Sequence, residues 1–419
     1  MTKLEQLIKK FCPKGVKFEP LWKVTTWDKR FSGVDKKKQE HVCKFKHVSA
    51  AQLKSMSIDD GDVLLLSTGN FTAYTSKELA GEYLNNNEVI SLPSGGTATI
   101  KYTNGLFVDS SNLLCITSNR QKYNLKFIYY CLLTRQEFFD RNFRGSGIKH
   151  PNMQVILELK VPVPSIEVQT EIVRILDKFT SITAELTAEL TAELTLRKKQ
   201  YEFYRDKILT FKREREIMLG EISDMISSMK NVKGKWAEEG NCQFVDYMNV
   251  YNNSSIDVND LPFATVQNLN QETVQQGDIL FTSASETPDE LAISSVIEQK
   301  IQPGIFLDDH LFGVRLKKEY QNKFALSFLK HYFRSNTFRR QIDKIVLGVT
   351  RFYFAKPSLL KTKVFMPNLK DQEYIGDILD KFEKYTTNIQ SGLPAEIALR
   401  QKQYEYYRNK LLTFKELRG

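Results

Sequence analysis

The feature that most constrains this chain is a long internal repeat. Residues 161–212 return as residues 364–415, shifted by 203 throughout, with no insertion or deletion. Arg174-Ile175-Leu176-Asp177-Lys178-Phe179 returns as Asp377-Ile378-Leu379-Asp380-Lys381-Phe382. Lys199-Gln200-Tyr201-Glu202-Phe203-Tyr204-Arg205 returns as Lys402-Gln403-Tyr404-Glu405-Tyr406-Tyr407-Arg408. A repeat this long in an otherwise non-repetitive chain describes two half-proteins in tandem.

Both copies carry one apolar stripe at helical spacing. In the first it runs through Val168, Ile172, Ile175, Phe179, Ile182, Leu186, Leu190, Leu194, Tyr201, Tyr204, Ile208 and Phe211. Ile375, Ile378, Phe382, Tyr385, Ile389, Leu393, Ile397, Tyr404, Tyr407, Leu411 and Phe414 match it in the second. A single stripe of this kind is a coiled-coil seam. At about 1.5 Å per residue, Val168 to Phe211 makes a rod of roughly 65 Å. Inside it, Thr-Ala-Glu-Leu occurs three times in succession from Thr183 to Leu194, and its four-residue steps form a stutter that locally unwinds a supercoil. The corresponding stretch of the second copy contains Ser391-Gly392-Leu393-Pro394, where glycine and proline predict a break with Pro394 in the first turn of a new helix. Matched seams predict that the two helical segments pack antiparallel, holding two globular domains apart at their opposite ends.

The stretches between the repeats share only a plan. Gly61-Asp62-Val63-Leu64-Leu65-Leu66 reads as a turn and a buried strand, and Gly277-Asp278-Ile279-Leu280-Phe281 reads as its counterpart. Phe107-Val108-Asp109 is answered by Phe306-Leu307-Asp308. A helix expected over 125–143, with Phe127, Cys131, Leu132 and Phe138 on its buried stripe, is answered by one over 323–342. Each helix runs into a glycine loop, Arg144-Gly145-Ser146-Gly147-Ile148-Lys149-His150 and Leu347-Gly348-Val349-Thr350-Arg351. The reading is therefore α+β. It places a first globular domain at 1–160 with a short N-terminal helix, a helical region at 161–230, a second globular domain at 231–363 and a helical region at 364–419. The two globular domains are related by a pseudo-twofold. A frame kept alike while two faces diverge implies one kind of partner for the frame and two different targets for the faces.

Composition narrows the targets. A net charge of +10 and a pI near 9.1 favour a polyanionic partner. The five cysteines are scattered and contain no CxxC, which fits a reducing cytoplasm and argues against a disulfide framework or zinc site. Neither a signal peptide nor a membrane span is expected. There is no Walker A sequence, no N/D-P-P-Y/F tetrapeptide and no glycine-rich cradle for S-adenosylmethionine, so neither ATP-driven translocation nor methyl transfer is placed on this chain. One short pattern invites a nuclease reading: Pro288-Asp289, followed by Glu298-Gln299-Lys300, has the PD…ExK spacing of metal-dependent nucleases.

Several of these segments together resemble the DNA-specificity (S) subunit of type I restriction–modification enzymes. The resemblance is carried by Val161-Pro162-Val163-Pro164 with Gln169 after it, Ile175-Leu176-Asp177-Lys178-Phe179, the TAEL tandem, Arg197 to Arg205, and Gly392-Leu393-Pro394-Ala395-Glu396-Ile397. It implies two target recognition domains, each reading one half of a bipartite double-stranded DNA site. The helical regions would bind two methyltransferase (M) subunits, to which two motor-nuclease (R) subunits add. The S subunit would catalyse nothing and hold no cofactor; S-adenosylmethionine, ATP and magnesium belong to its partners. The TAEL number, with Thr183, Leu186, Leu190 and Leu194 as spacer positions, would set the gap between half-sites. The family's Gly-Leu-Pro break is missing from the central copy.

Reading DNA needs donors at loop tips and cations for phosphate. The candidates are Thr68, Asn70 and Thr72 after the first strand and Ser283, Ser285 and Thr287 after its counterpart. Arg141, Arg144, Lys149 and His150 flank the first glycine loop, and Arg339, Arg340, Arg351 and Tyr353 the second. Tyr201, Tyr204, Tyr404 and Tyr407 sit at helical spacing on the seam, which assigns them to packing within the frame or against the M subunit rather than to base stacking. The rival readings are a stand-alone nuclease using Asp289, Glu298 and Lys300, and a coiled-coil scaffold without sequence preference.

Overall fold

A computed structural model describes residues 2–210, 215–387 and 392–417. The chain divides into two compact units, Met1–Thr187 with Leu399–Gly419, and Ala188–Ala398. One helix, Ile166–Ile208, contributes residues to both and passes through the TAEL stretch without interruption.

The first unit begins with the helix Lys3–Phe11. Thr2 caps it by accepting from the Glu5 amide while the Glu5 carboxylate accepts from the Thr2 amide. A small antiparallel pair, Lys17–Pro20 with Lys160–Val163, leads into a six-stranded sheet. Its order is Thr25–Trp27, Leu113–Thr117, Asn85–Leu92, Lys101–Asp109, Val63–Leu66, Thr72–Thr75, antiparallel except where Val63–Leu66 runs parallel to Lys101–Asp109. The second unit repeats the entry: Glu216–Met218 pairs with Lys363–Phe365, and Ser223–Ile226 then starts a sheet by pairing with Leu311–Leu316. Ile279–Thr282 and Ser294–Val296 follow in that sheet. A second sheet is ordered Val232–Ala237, Phe263–Val266, Cys242–Val245, Ile305–Leu307.

The pairing corrects one expected equivalence. Val63–Leu66 is parallel to the strand ending in Phe107-Val108-Asp109, and the strand parallel to Phe306-Leu307 is Cys242–Val245. Ile279–Thr282 instead lies antiparallel beside the strand that pairs with Ser223–Ile226, which is the place of Asn85–Leu92 in the first unit. A Gly-Asp turn before an apolar run is a local signal, whereas a strand's neighbour is fixed by distant residues.

The two expected long helices are each broken into a pair. Leu125–Leu133 is followed by Gln136–Asn142, and Leu326–Arg334 by Asn336–Ile342. The same device ends both leading helices. Thr134 Oγ1 donates to the Cys131 carbonyl and Ser335 Oγ to the Tyr332 carbonyl, so a side chain competes with the next backbone bond. Phe127, Cys131 and Leu132 are buried as expected, but Phe139 takes the fully buried place and Phe138 is only partly covered. The region expected to be helical over 161–230 stops being so at Ile208. Residues from Glu216 to Ile226 are strands and a short helix of the second unit.

The C-terminal repeat forms two helices, Leu369–Thr387 and Leu393–Leu411. Gly392 has φ +106, and a Cβ there would sit 2.6 Å from the Tyr385 carbonyl oxygen. Only glycine fits that turn. Pro394 stands in the first turn of the new helix, as expected. Ser391 and the seam positions Phe211 and Ile389 lie outside the described residues.

Candidate nucleic-acid interface

Each unit is locked to its share of the frame by a buried glutamine. In the first, the Asn124 amide donates to Gln169 Oε1 at 2.9 Å, and Gln169 Nε2 donates to the carbonyls of Lys122 and Pro164. In the second, Ala325, Gln372, Lys323 and Pro367 make the same set. An aspartate about two helical turns further along the repeat completes the junction. Asp177 accepts from Lys126 Nζ at 2.8 Å and from the Tyr130 hydroxyl at 2.7 Å, and Thr180 links Tyr130 to Tyr404. Its repeat Asp380 takes Lys330 Nζ at 2.8 Å and His331 Nε2 at 2.6 Å, and the Tyr201 hydroxyl lies 2.7 Å from His331 Nδ1. The imidazole thus bridges the Asp380 carboxylate at Nε2 and the Tyr201 hydroxyl at Nδ1. Burial and the Asp177 carboxylate hold the Tyr130 phenol well above its ordinary range. Burial pushes Asp380 up, but the bonds from His331 and Lys330 outweigh it and hold the carboxyl low.

These contacts settle where the seam tyrosines go. Tyr201 is buried against His331, a packing role inside the chain, as the first of the two expected alternatives has it, though against the recognition fold and not the frame. Tyr204 stacks on Phe382 at 6.0 Å in the second unit, and Tyr407 meets Phe179 at 6.1 Å in the first. Phe179 with Tyr407 and Thr180 with Tyr404 give the antiparallel sense within that unit. Thr183, Leu186, Leu190 and Leu194 keep intermediate exposure.

Within each unit the glycine loop is a hairpin. Phe143-Arg144 pairs with His150-Pro151, and Leu347 pairs with Tyr353. Gly145 and Gly348 open these turns with φ +157 and +105, and a Cβ at either would strike the carbonyl oxygen three residues on, at 2.5 and 2.1 Å. A second loop braces each hairpin. His150 Nδ1 lies 2.7 Å from the Ser94 carbonyl oxygen and the Gly96 amide donates to Lys149, while Ala284–Ser285 pairs with Phe352–Tyr353. The structure thus brings Arg141, Arg144, Lys149 and His150 together, with Arg144 Nε donating to the Arg141 carbonyl. It likewise groups Ser283, Ser285 and Thr287 with Arg351 and Tyr353.

Some candidates are spent on the scaffold. Arg339 donates to the carbonyls of Asp289 and Leu291, and burial holds its guanidinium below the ordinary range. Ser285 is buried, bonds Glu290 and accepts from the Thr287 amide. Both side chains brace the scaffold here, in place of the free loop-tip donors expected. Ser283 Oγ donates to the His310 carbonyl. Arg340, Arg351, Thr287, Lys149 and Arg144 are exposed, and Arg141 forms an open ion pair with Glu137. Thr68, Asn70 and Thr72 form a separate tip, shaped by Ser67 Oγ donating to the Gly69 and Phe71 carbonyls and by Lys101 Nζ on the Ser67 carbonyl. Sequence reasoning missed the apolar side chains on the hairpins: Ile148 is 70% and Val349 87% exposed. A β-branched residue beside a turn glycine is the signal that marks them.

Among the described residues, two clusters of carboxylates and histidine have ligand atoms within 4.8 Å of one another, Asp308-Asp309-His310 and His331-Asp380-Glu383. Each already holds an ammonium, Lys235 in the first and Lys330 in the second. Burial, with Asp309 alongside, raises the Asp308 carboxyl. At the matching place in the first unit, Asp109 has no lysine partner among the described residues and accepts from the Asn112 side chain and from the Asn112 and Ser111 amides, and burial raises it to about 6. Asp289 and Glu298 belong to neither cluster. Glu298 is held by Lys330 at 2.8 Å, so the nuclease reading is not favoured.

Comparison with known proteins decides the family. Residues 32–196 and 215–399 match the type I restriction modification DNA specificity domain. The chain belongs to that family. It is accordingly a DNA-recognition subunit and not a catalytic one. It is 31% identical over 331 residues to the EcoR124I/EcoR124II specificity subunit of Escherichia coli, covering 73% of this chain and 75% of that one. A Haemophilus influenzae protein named as a type I restriction enzyme specificity subunit is 29% identical over 401 residues, covering 91% of this chain and 96% of its own length. In fold it is similar to a chain from a structural study of complex assembly and conformational transition of the type I R-M system, with TM-score 0.55 at 15% identity, covering 96% and 98% of the two chains. No helix among the described residues is long and apolar enough to cross a membrane.

Proposed function

We propose that this member of the family reads a bipartite duplex, one half with each unit, and so directs adenine methylation and, with a motor subunit, cleavage. The observation that carries this reading is the contrast between the junctions and the hairpins. Gln169 and Gln372 make the same three bonds, while the hairpins present Ser146, Ile148 and Lys149 in one unit and Val349, Thr350 and Arg351 in the other. Two faces built to one plan with different side chains suit two different half-sites.

The frame supplies the docking surface for two copies of one methyltransferase partner. Leu196 and Leu399 are 65% and 57% exposed, and Phe203 and Tyr406 are each 61% exposed. Each pair is related by the shift of 203, so the same apolar positions are offered twice. S-adenosylmethionine resides on those partners, and ATP and magnesium serve the two motor-nuclease subunits. The TAEL stretch sets the gap between half-sites, since four helical residues add about 6 Å. The test is to map methylated adenines in DNA exposed to the full chain with its methyltransferase partner. A bipartite motif is expected; methylation without sequence preference would leave only a scaffold.

A further inference from the structure

The second unit contains a cleft of about 900 Å³, bounded by the end of the helix Ile166–Ile208, by Asn336–Ile342 and by the end of Lys356–Leu360. Lys207, Arg340, Lys344 and Lys361 line it, and all four are exposed. The acids of the same wall are engaged elsewhere. Asp206 takes Arg205 and the Asn336 amide, and Glu216 takes Lys363 at 3.1 Å. Among the described residues no carboxylate comes within ion-pair distance of the four cations; Lys207 rests over the Phe203 ring. Four like charges converging on one concave wall repel one another unless an anion joins them.

The first unit does not repeat this arrangement. Its corresponding cleft is about 250 Å³ and is lined by Arg135 and Lys160, and an adjoining one of about 660 Å³ carries Arg135, Arg141 and Arg408 together with Glu405 and with Glu137, which pairs with Arg141. Where the second unit has Lys361, the first has Glu158, which pairs with Lys38. A partner that binds the frame twice needs the same charge on both copies, whereas Lys344 and Lys361 have no counterpart among the cations of the first unit's clefts, so these two lysines suit the target rather than the frame. Its position agrees, because Lys344 stands just before the hairpin that Leu347 and Tyr353 close.

We propose that this cleft seats the sugar–phosphate backbone of the duplex beside the half-site read by the second unit. The assignment rests on the DNA-reading function proposed above. Lys344 and Lys361 supply sequence-independent affinity there, and the hairpin supplies the reading. The counterion-release relation gives each phosphate so neutralised a slope of about −0.9 in log K against log salt.

The test measures binding of the full chain with its methyltransferase partner to the target duplex and to a scrambled duplex, across salt. Lys344→Gln and Lys361→Gln should each reduce the slope by about 0.9 and weaken both duplexes by the same factor. Both residues are exposed, so the thermal melt should not move, and the methylated motif should stay the same. Unchanged slopes would overturn the assignment. So would loss of the methyltransferase partner with the slope intact, which would make the cleft a seat for an acidic protein segment. If the wild-type complex prefers no sequence, the reading function fails; the slope on any duplex still tests the cleft.

Discussion

Tyr130 and His331 occupy the same station in the two units, and each is bonded to the repeated aspartate of its own junction. The surroundings differ. Tyr130 reaches the frame tyrosine Tyr404 through Thr180, whereas His331 is fully buried and bonds Tyr201 directly. The difference teaches how a repeat diverges. The frame keeps its glutamine, aspartate and tyrosine in register, and the recognition fold changes the residue that meets them. Position is held while chemistry drifts.

The largest effect that should break this comparison comes from carrying one unit's residue into the other. Gly376 stands where the first copy has Val173. A Cβ at 376 would lie 2.3 Å from Ser327 Oγ and 3.1 Å from the Phe328 amide nitrogen. Gly376→Val should therefore cost about 3 kcal/mol in denaturant titration, the upper end of overpacking penalties. Next come the glutamines. Gln169→Ala and Gln372→Ala each strand a buried amide and should cost about 2 kcal/mol, equally in the two units. Unequal losses would mean that the matched bonds do not carry matched energy.

The tyrosines sharpen the contrast further. Tyr201→Phe removes the partner of a buried imidazole nitrogen and should cost about 1.5 kcal/mol, while Tyr404→Phe, in a half-exposed link, should cost about 0.5 kcal/mol. The smallest effect separates the two turn aspartates by pH. Burial raises Asp109 to about 6 from an ordinary 3.8, so the folded state holds its proton more tightly than the unfolded chain. That contribution is fully present below pH 3.8 and is lost as pH rises through 6. Asp109→Asn should flatten the decline and raise the melting point at pH 7.5, with no gain at pH 3.5. Asp308→Asn should raise it by less, because burial raises that carboxyl too but the Lys235 ammonium loses the negative charge beside it while keeping an amide oxygen and Asp309 as acceptors.

The frame was legible in the sequence because helical contacts are local. Leu393, Val168 and Ile172 are buried as their spacing requires, and the break at Gly392 follows from residue chemistry. Near Leu176 the reading fell short. That residue is fully buried although the stripe omits it, because two faces are covered where the helix meets a globular core. The globular parts were legible only as a plan. Ile279–Thr282 was matched to the wrong strand because its neighbours come from distant residues. Arg339 read as a DNA contact because no sequence pattern reveals two carbonyls waiting beside it. The junction aspartates were open to discovery: Asp177 and Asp380 are the same acid kept after the same Ile-Leu pair in both copies of the repeat.

The most direct test of a repeated frame carrying two independent readers is to delete Thr191 to Leu194 and map methylated adenines beside the wild type. The account predicts a shorter gap between two unchanged half-sites. A changed half-site, or the wild-type gap retained, would contradict it.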